Sequence, residues 1–190
     1  MKNLIAPFIL FIVFVSCESS PVKKTLLVDY ESIKQNSNEE LYENIFSNDE
    51  LNISFSYPKS WEVQTDSHNR ILYVLSPSDS SDLFQEMMNI VVGNTESLNL
   101  EEFFSLNLKA VEGVFDELDR TEDPSQVSIN DRVFKRVKFN YVFEGYPLTA
   151  NLFVTHNEQT SYVVNCSALQ STFDQYQNQF MIVVNSIEIK

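Results

Sequence analysis

Glycine, cysteine, histidine and basic side chains are all scarce in this chain, and each scarcity removes a class of chemistry. Of 190 residues, three are Gly. Gly93, Gly113 and Gly145 lie too far apart to form a phosphate-cradling loop. Only two His are present. His68 and His156 both fall in predicted turns, and no Gly-x-Ser-x-Gly elbow exists, so nucleophile-and-base catalysis lacks its usual parts. The two Cys, Cys17 and Cys166, make no Cys-x-x-Cys pattern for redox or zinc chemistry. Against 27 acidic residues stand 13 Lys and Arg, for a net charge of −14. Such a surface repels nucleic acid and anionic lipid headgroups; a basic partner or a surface bridged by divalent ions remains compatible. The acidic runs (Asp79 and Asp82; Asp116, Glu117, Asp119, Glu122 and Asp123) lack the Gly turn and ligand spacing of a calcium loop. They read as solvated surface, and no metal or other cofactor is expected.

What the chain does have is apolar and aromatic substance, 43% and 13%, enough for one domain with a real core. Its first apolar run, Leu4 to Val15 behind Lys2, is too short to span about 30 Å of hydrocarbon as a helix. The run stops at Phe14-Val15-Ser16-Cys17. This string resembles a bacterial lipobox, with Phe14 where Leu is usual. The resemblance implies a signal peptide over 1–16 and acyl chains of the palmitate type on Cys17. Residues 17–48 then form a lipid-anchored polar tether, and residues 49–190 a globular domain. Several acyl chains hold a protein to a membrane because each buried CH₂ contributes about 0.8 kcal/mol. Attachment is thus expected through lipid, on the extracytoplasmic side. Within the tether Leu26, Leu27, Val28, Tyr30 and Ile33 are an apolar island, and residues 38–46 have the spacing of a short helix.

The body opens on the clearest strand. Leu51, Ile53, Phe55 and Tyr57 alternate with Asn52, Ser54 and Ser56, giving one apolar face. Pro58 ends it, and Trp61 is expected over an end of the core with its indole N–H on a partner. Residues 62–65 read as a continuation of this strand. Residues 70–76 and 87–92 are apolar on both parities, as in strands covered on both faces. A helix is predicted over 100–118, with Asn99 and Glu102 as a capping box. Phe103, Phe104, Asn107, Val111, Val114, Phe115 and Leu118 form its inward stripe. Strands at 127–129, 132–143, 148–154 and 161–168 follow in meander spacing, with Gly145 turning at positive φ. A second helix over 171–184 is capped by Ser171 or Thr172, and a short extended tail closes the chain. The whole reads as α+β with a largely antiparallel sheet.

The string F-S-Y-P-K-S-W-E-V resembles the opening of the PsbP-like superfamily, a strand, an aromatic-Pro pair, two residues and Trp. That group includes the photosystem II PsbP proteins, DcrB-like lipoproteins and Mog proteins. The resemblance spans residues 51–190 and extends to the C-terminal helix with its Ser-containing tail, N-S-I-E-I. It implies an α–β–α sandwich, an antiparallel sheet flanked by helices on both sides. The metal residues of photosystem II PsbP have no counterparts on this chain.

Cys166 shares its parity with Tyr162, Val164 and Ala168, so it should be buried and inert. The functional expectation is a non-enzymatic, lipid-anchored binding or assembly module of a bacterial envelope. Its partners would be the membrane and an envelope protein, not nucleic acid. The alternative is a carrier of a small apolar ligand, with Phe139, Tyr141, Phe143, Tyr146, Phe153 and Tyr162 lining a cavity.

Overall fold

The computed structural model describes residues 25–26, 44–78, 84–95, 98–115, 117–157 and 159–190. Twelve strands and two helices are present among them. The strands are β1 (Thr25–Leu26), β2 (Asn44–Asn48), β3 (Ile53–Tyr57), β4 (Glu62–Asp66), β5 (Ile71–Leu75), β6 (Met87–Asn94), β7 (Asp119–Arg120), β8 (Ser125–Ile129), β9 (Arg132–Phe143), β10 (Tyr146–His156), β11 (Thr160–Leu169) and β12 (Glu188–Ile189). The helices, here α1 and α2, are Leu100–Val114 and Phe173–Asn185.

Nine strands build the large sheet in the order β1-β8-β9-β10-β11-β6-β5-β4, with β7 also on β9. Every pairing in it is antiparallel except β1 with β8. The small sheet runs β12-β3-β2. Helix α1 carries the chain from β6 across one face to β7 and packs on β9 and β10. Helix α2 and the small sheet cover the other face.

Strand parity divides the interior in two. Leu148, Ala150, Leu152 and Val154 of β10, with Val137, Phe139 and Tyr141 of β9, pack against Phe103, Phe104, Leu108 and Val111 of α1. Tyr162, Val164, Cys166 and Ala168 of β11, with Met88, Ile90 and Val92 of β6, pack against Phe173, Phe180, Val183 and Val184 of α2 and Ile53 and Phe55 of β3. The helix-on-both-faces arrangement is therefore the observed one. The doubly buried strands are β10 and β11. In β5 and β6 one face is sealed by Leu72, Val74, Met88 and Ile90, whereas on the other Leu75 and Asn89 are buried but Ile71, Tyr73, Met87 and Val91 are half-buried.

Trp61 is buried and crosses Phe180 edge-on at 5.7 Å, with Tyr176 at 6.2 Å. Its backbone N–H closes the turn onto the Pro58 carbonyl at 2.9 Å. Among the described residues its indole N–H meets no acceptor, contrary to expectation. That turn also overturns the reading of residues 62–65 as more of the first strand, because β4 joins the other sheet. The short helix expected over 38–46 is replaced where described by β2, whose Phe46 stacks on Phe55 at 5.1 Å while Ile45 stays exposed. Of the island at Leu26 to Ile33, only Leu26 lies within the described residues.

The capping box is present. Asn99 Oδ1 accepts from the Glu102 N–H, and Glu102 Oε2 accepts from the Asn99 N–H, both at 3.0 Å. The helix stops sooner than predicted, with Phe115 already extended at φ −113° and ψ 118°, and Val114 is exposed instead of inward. Thr172 precedes α2 without capping it by its side chain. Its hydroxyl instead donates to the buried Glu86 carboxylate at 2.9 Å, which ties the β5–β6 hairpin to the helix start.

Candidate functional site

The sequence-nominated chemical groups do not converge. His68 is exposed in the β4–β5 turn. His156 is the last residue of β10 rather than a turn residue, with Nδ1 2.9 Å from the Asn157 carbonyl. Four strand spacings separate β4 from β10, about 19 Å, so the two imidazoles cannot hold one metal ion. Asp79, Asp82 and Asp116 lie outside the described residues. Glu117, Asp119, Glu122 and Asp123 are exposed, and Glu122 pairs with Arg136 at 3.0 Å. Among the described residues no three His, Cys, Asp or Glu side chains gather to hold a metal ion. Cys166 is fully buried, and burial pushes its thiol pKa well up, which holds it protonated and unreactive. Cys17 lies outside the described residues.

The six aromatics proposed to line one cavity are split between the two faces. Phe139, Tyr141, Phe143 and Tyr146 belong to the α1 side, Phe153 and Tyr162 to the α2 side. Phe139, Phe153 and Tyr162 are fully enclosed by their own clusters. They fill cores and bound no common space.

A different set does come together. On the α1 side of the sheet the cross-strand register places Gln64, Tyr73, Asn89 and Asn165 in one row over β4, β5, β6 and β11. Asn165 Nδ2 donates to Asn89 Oδ1 at 3.1 Å and to Ser167 Oγ at 2.8 Å. The Tyr141 hydroxyl donates to the same Ser167 Oγ at 3.3 Å. Asn89, Asn165, Ser167 and Tyr141 are only 3%, 4%, 3% and 4% exposed. Burial raises the Tyr141 phenol to about 12, with the Ser167 bond pulling the other way, so it stays a neutral donor.

No charged side chain belongs to this network. On the same face, the buried Lys135 ammonium is taken up by Glu101 at the start of α1. Buried polar groups in an apolar sheet are costly unless paired, and here the pairing is incomplete. Asn89 Nδ2 and Asn165 Oδ1 have no hydrogen-bond partner among the described residues. Sequence reading passed over both residues. The available signal was a lone Asn inside each apolar strand run, M-M-N-I-V-V and Y-V-V-N-C-S.

No family model matches the chain, and no curated protein sequence matches it either. Solved structures do. The solution structure of cyanobacterial PsbP (CyanoP) from Synechocystis superposes with a TM-score of 0.59 at 12% identity, over 82% of this chain and 96% of that one. The crystal structure of LpqN, involved in cell envelope biogenesis of Mycobacterium tuberculosis, gives 0.60 at 10% identity, over 73% and 83%. A Pseudomonas aeruginosa protein of unknown function gives 0.57 at 8% identity, over 77% and 96%. At these identities the likeness concerns architecture alone. No helix among the described residues is long and apolar enough to cross a membrane. The sandwich of α1, the large sheet, and α2 with the small sheet is a PsbP-like fold, as the aromatic-Pro-Trp opening led one to expect.

Proposed function

We propose that this chain is a non-enzymatic, lipid-anchored module of a bacterial cell envelope that binds or assembles with an envelope protein. The observation that carries the reading is Cys17 placed directly where the Leu4–Val15 apolar run ends. The fold shared with LpqN, whose work is in envelope biogenesis, is compatible with it. Acyl chains on Cys17 supply the membrane affinity that a −14 chain does not obtain from anionic headgroups. The module holds a sealed double core and contributes surface rather than chemistry.

The test uses the full chain expressed in a bacterial host with a chemical crosslinker applied to intact envelopes. Wild type partitions with membranes and incorporates labelled palmitate, and it crosslinks to a discrete envelope protein. Cys17→Ser moves to the soluble fraction and takes up no label. Unchanged membrane partitioning of Cys17→Ser overturns the anchor; the absence of any specific crosslinked partner overturns the assembly role.

A further inference from the structure

The α1 face of the large sheet is unevenly covered. Helix α1 rests on β9 and β10, while the same face of β5 and β6 leaves Ile71, Tyr73, Met87 and Val91 half-buried. The opposite face of those two strands is sealed, with Leu72, Val74, Met88 and Ile90 at 0% exposure. The half-covered strip is therefore apolar and aromatic, and Asn89 with Asn165 forms its polar floor.

Asn165 spends both amide hydrogens, one on Asn89 Oδ1 and one on Ser167 Oγ. As placed, the carboxamides leave over a donor, Asn89 Nδ2, and an acceptor, Asn165 Oδ1; turning both over, with the Ser167 hydroxyl donating to Asn165 Oδ1, exchanges the two roles and still leaves one donor beside one acceptor. Asn89 and Asn165 are directly opposite in the β6–β11 register, so the two free groups sit side by side on neighbouring strands, whose Cα atoms are about 4.5–5.5 Å apart. Three other unpaired polar atoms, His156 Nε2, Gln179 Oε1 and Asn185 Nδ2, are sealed inside the protein; the two Asn termini are not among them.

We propose that this strip is a binding site for a small neutral ligand that carries a carbonyl beside an N–H or O–H on an apolar body. The carbonyl accepts from Asn89 Nδ2 and the donor meets Asn165 Oδ1, while Tyr73, Met87 and Val91 contact the body. A few convergent polar groups in an apolar surround are the usual composition of a small-molecule site. Anions are disfavoured, because the network holds no cation and Lys135 on the same face is already paired with Glu101. The site goes beyond the envelope-module reading and does not need the lipid anchor.

Pentanamide is a suitable probe, since its primary amide presents the carbonyl and the syn N–H on one edge at the end of a short alkyl chain; pentanoate is the matched anion. The full chain, labelled with ¹⁵N-asparagine and held in nanodiscs, is titrated with each. Saturable shifts of the Asn89 and Asn165 side-chain amide signals are expected with pentanamide and none with pentanoate. Asn89→Leu should weaken binding at least about tenfold, the discrimination expected when a site loses a specific hydrogen bond. Absence of saturable shifts, or undiminished binding to Asn89→Leu, overturns the site. An equal response to pentanoate overturns the neutral ligand class. Should Asn89→Leu lose its dispersed spectrum, Asn89→Ser is read in its place, with the same outcomes. Membrane partitioning, which tests the anchor, is unaffected by any of these results.

Discussion

The Tyr162 hydroxyl donates to the Leu51 carbonyl at 3.2 Å, across 111 residues of chain. It pins β11, at the middle of the large sheet, to the residue that leads into β3 of the small one. The ring is fully enclosed, so neither group finds water once the bond is lost. Tyr162→Phe keeps the packing and orphans the Leu51 carbonyl. A destabilisation of about 1–3 kcal/mol follows. In urea unfolding the midpoint falls while the slope is unchanged, because the surface exposed on unfolding is the same.

Trp61 is the second junction between the layers. Its ring lies edge-on to Phe180 of α2 at 5.7 Å, and it belongs to the same core cluster as Phe55. Trp61→Ala should cost about 3–5 kcal/mol, the range for emptying a large aromatic site. Trp61→Phe should cost clearly less, since an edge-on ring contact can be kept. Thermal unfolding followed by far-UV circular dichroism separates the two variants. Equal losses would show that the indole's size, not its ring contact, sets the stability.

Much of this architecture was legible because period and parity are local. The alternation in 148–154 and 161–168 became β10 and β11 with the expected faces, and N-L-E-E became a complete capping box. The Glu144–Gly145 turn was visible through its glycine; both residues take positive φ, 50° and 84°, as a type I′ hairpin requires. The equivalent Asn130–Asp131 turn, at φ 47° and 60°, carries no glycine and passed unnoticed. Tertiary pairing decided the misreadings. Leu41, Tyr42, Ile45 and Phe46 have helical spacing, yet a partner strand and a stacked Phe55 made residues 44–48 extended. The polar floor was hidden for a related reason. Asn89 and Asn165 are isolated polar residues in separate runs 76 residues apart, and only strand register makes them one feature.

The capping box offers a local measurement. Asn99 and Glu102 each satisfy a backbone N–H of the other at 3.0 Å. Asn99→Ala removes one acceptor and loosens its reciprocal partner, for about 1 kcal/mol. Asn99→Asp retains an acceptor and adds negative charge beside the positive end of the helix. It should match or exceed wild type at neutral pH. Hydrogen exchange of the first-turn amides of α1 is the readout: faster in Asn99→Ala, unchanged or slower in Asn99→Asp.

Alkaline stability depends in part on two buried acids on opposite faces of the sheet, Cys166 and Tyr141. Burial raises the Cys166 thiol above its ordinary 9.0, and it moves the Tyr141 phenol from 10.0 to about 12. Both groups are neutral when protonated, and the folded state holds those protons more tightly than the unfolded chain. Their contribution is therefore fully present below about pH 9 and is lost as pH climbs from 9 towards 12, because the unfolded chain ionises first. Each group adds a slope of at most about 1.4 kcal/mol per pH unit. The Cys166 contribution enters first, since its unfolded value is the lower of the two. Cys166→Ala, in a site at 0% exposure, should lose some stability at pH 7 from the small cavity. Between pH 9 and 10 its stability should then fall less steeply than wild type. Urea midpoints measured at pH 7, 8, 9 and 10 on both proteins check this. Parallel curves for the two would mean that the thiol ionises as readily folded as unfolded, and would contradict its enclosure between β6 and β10.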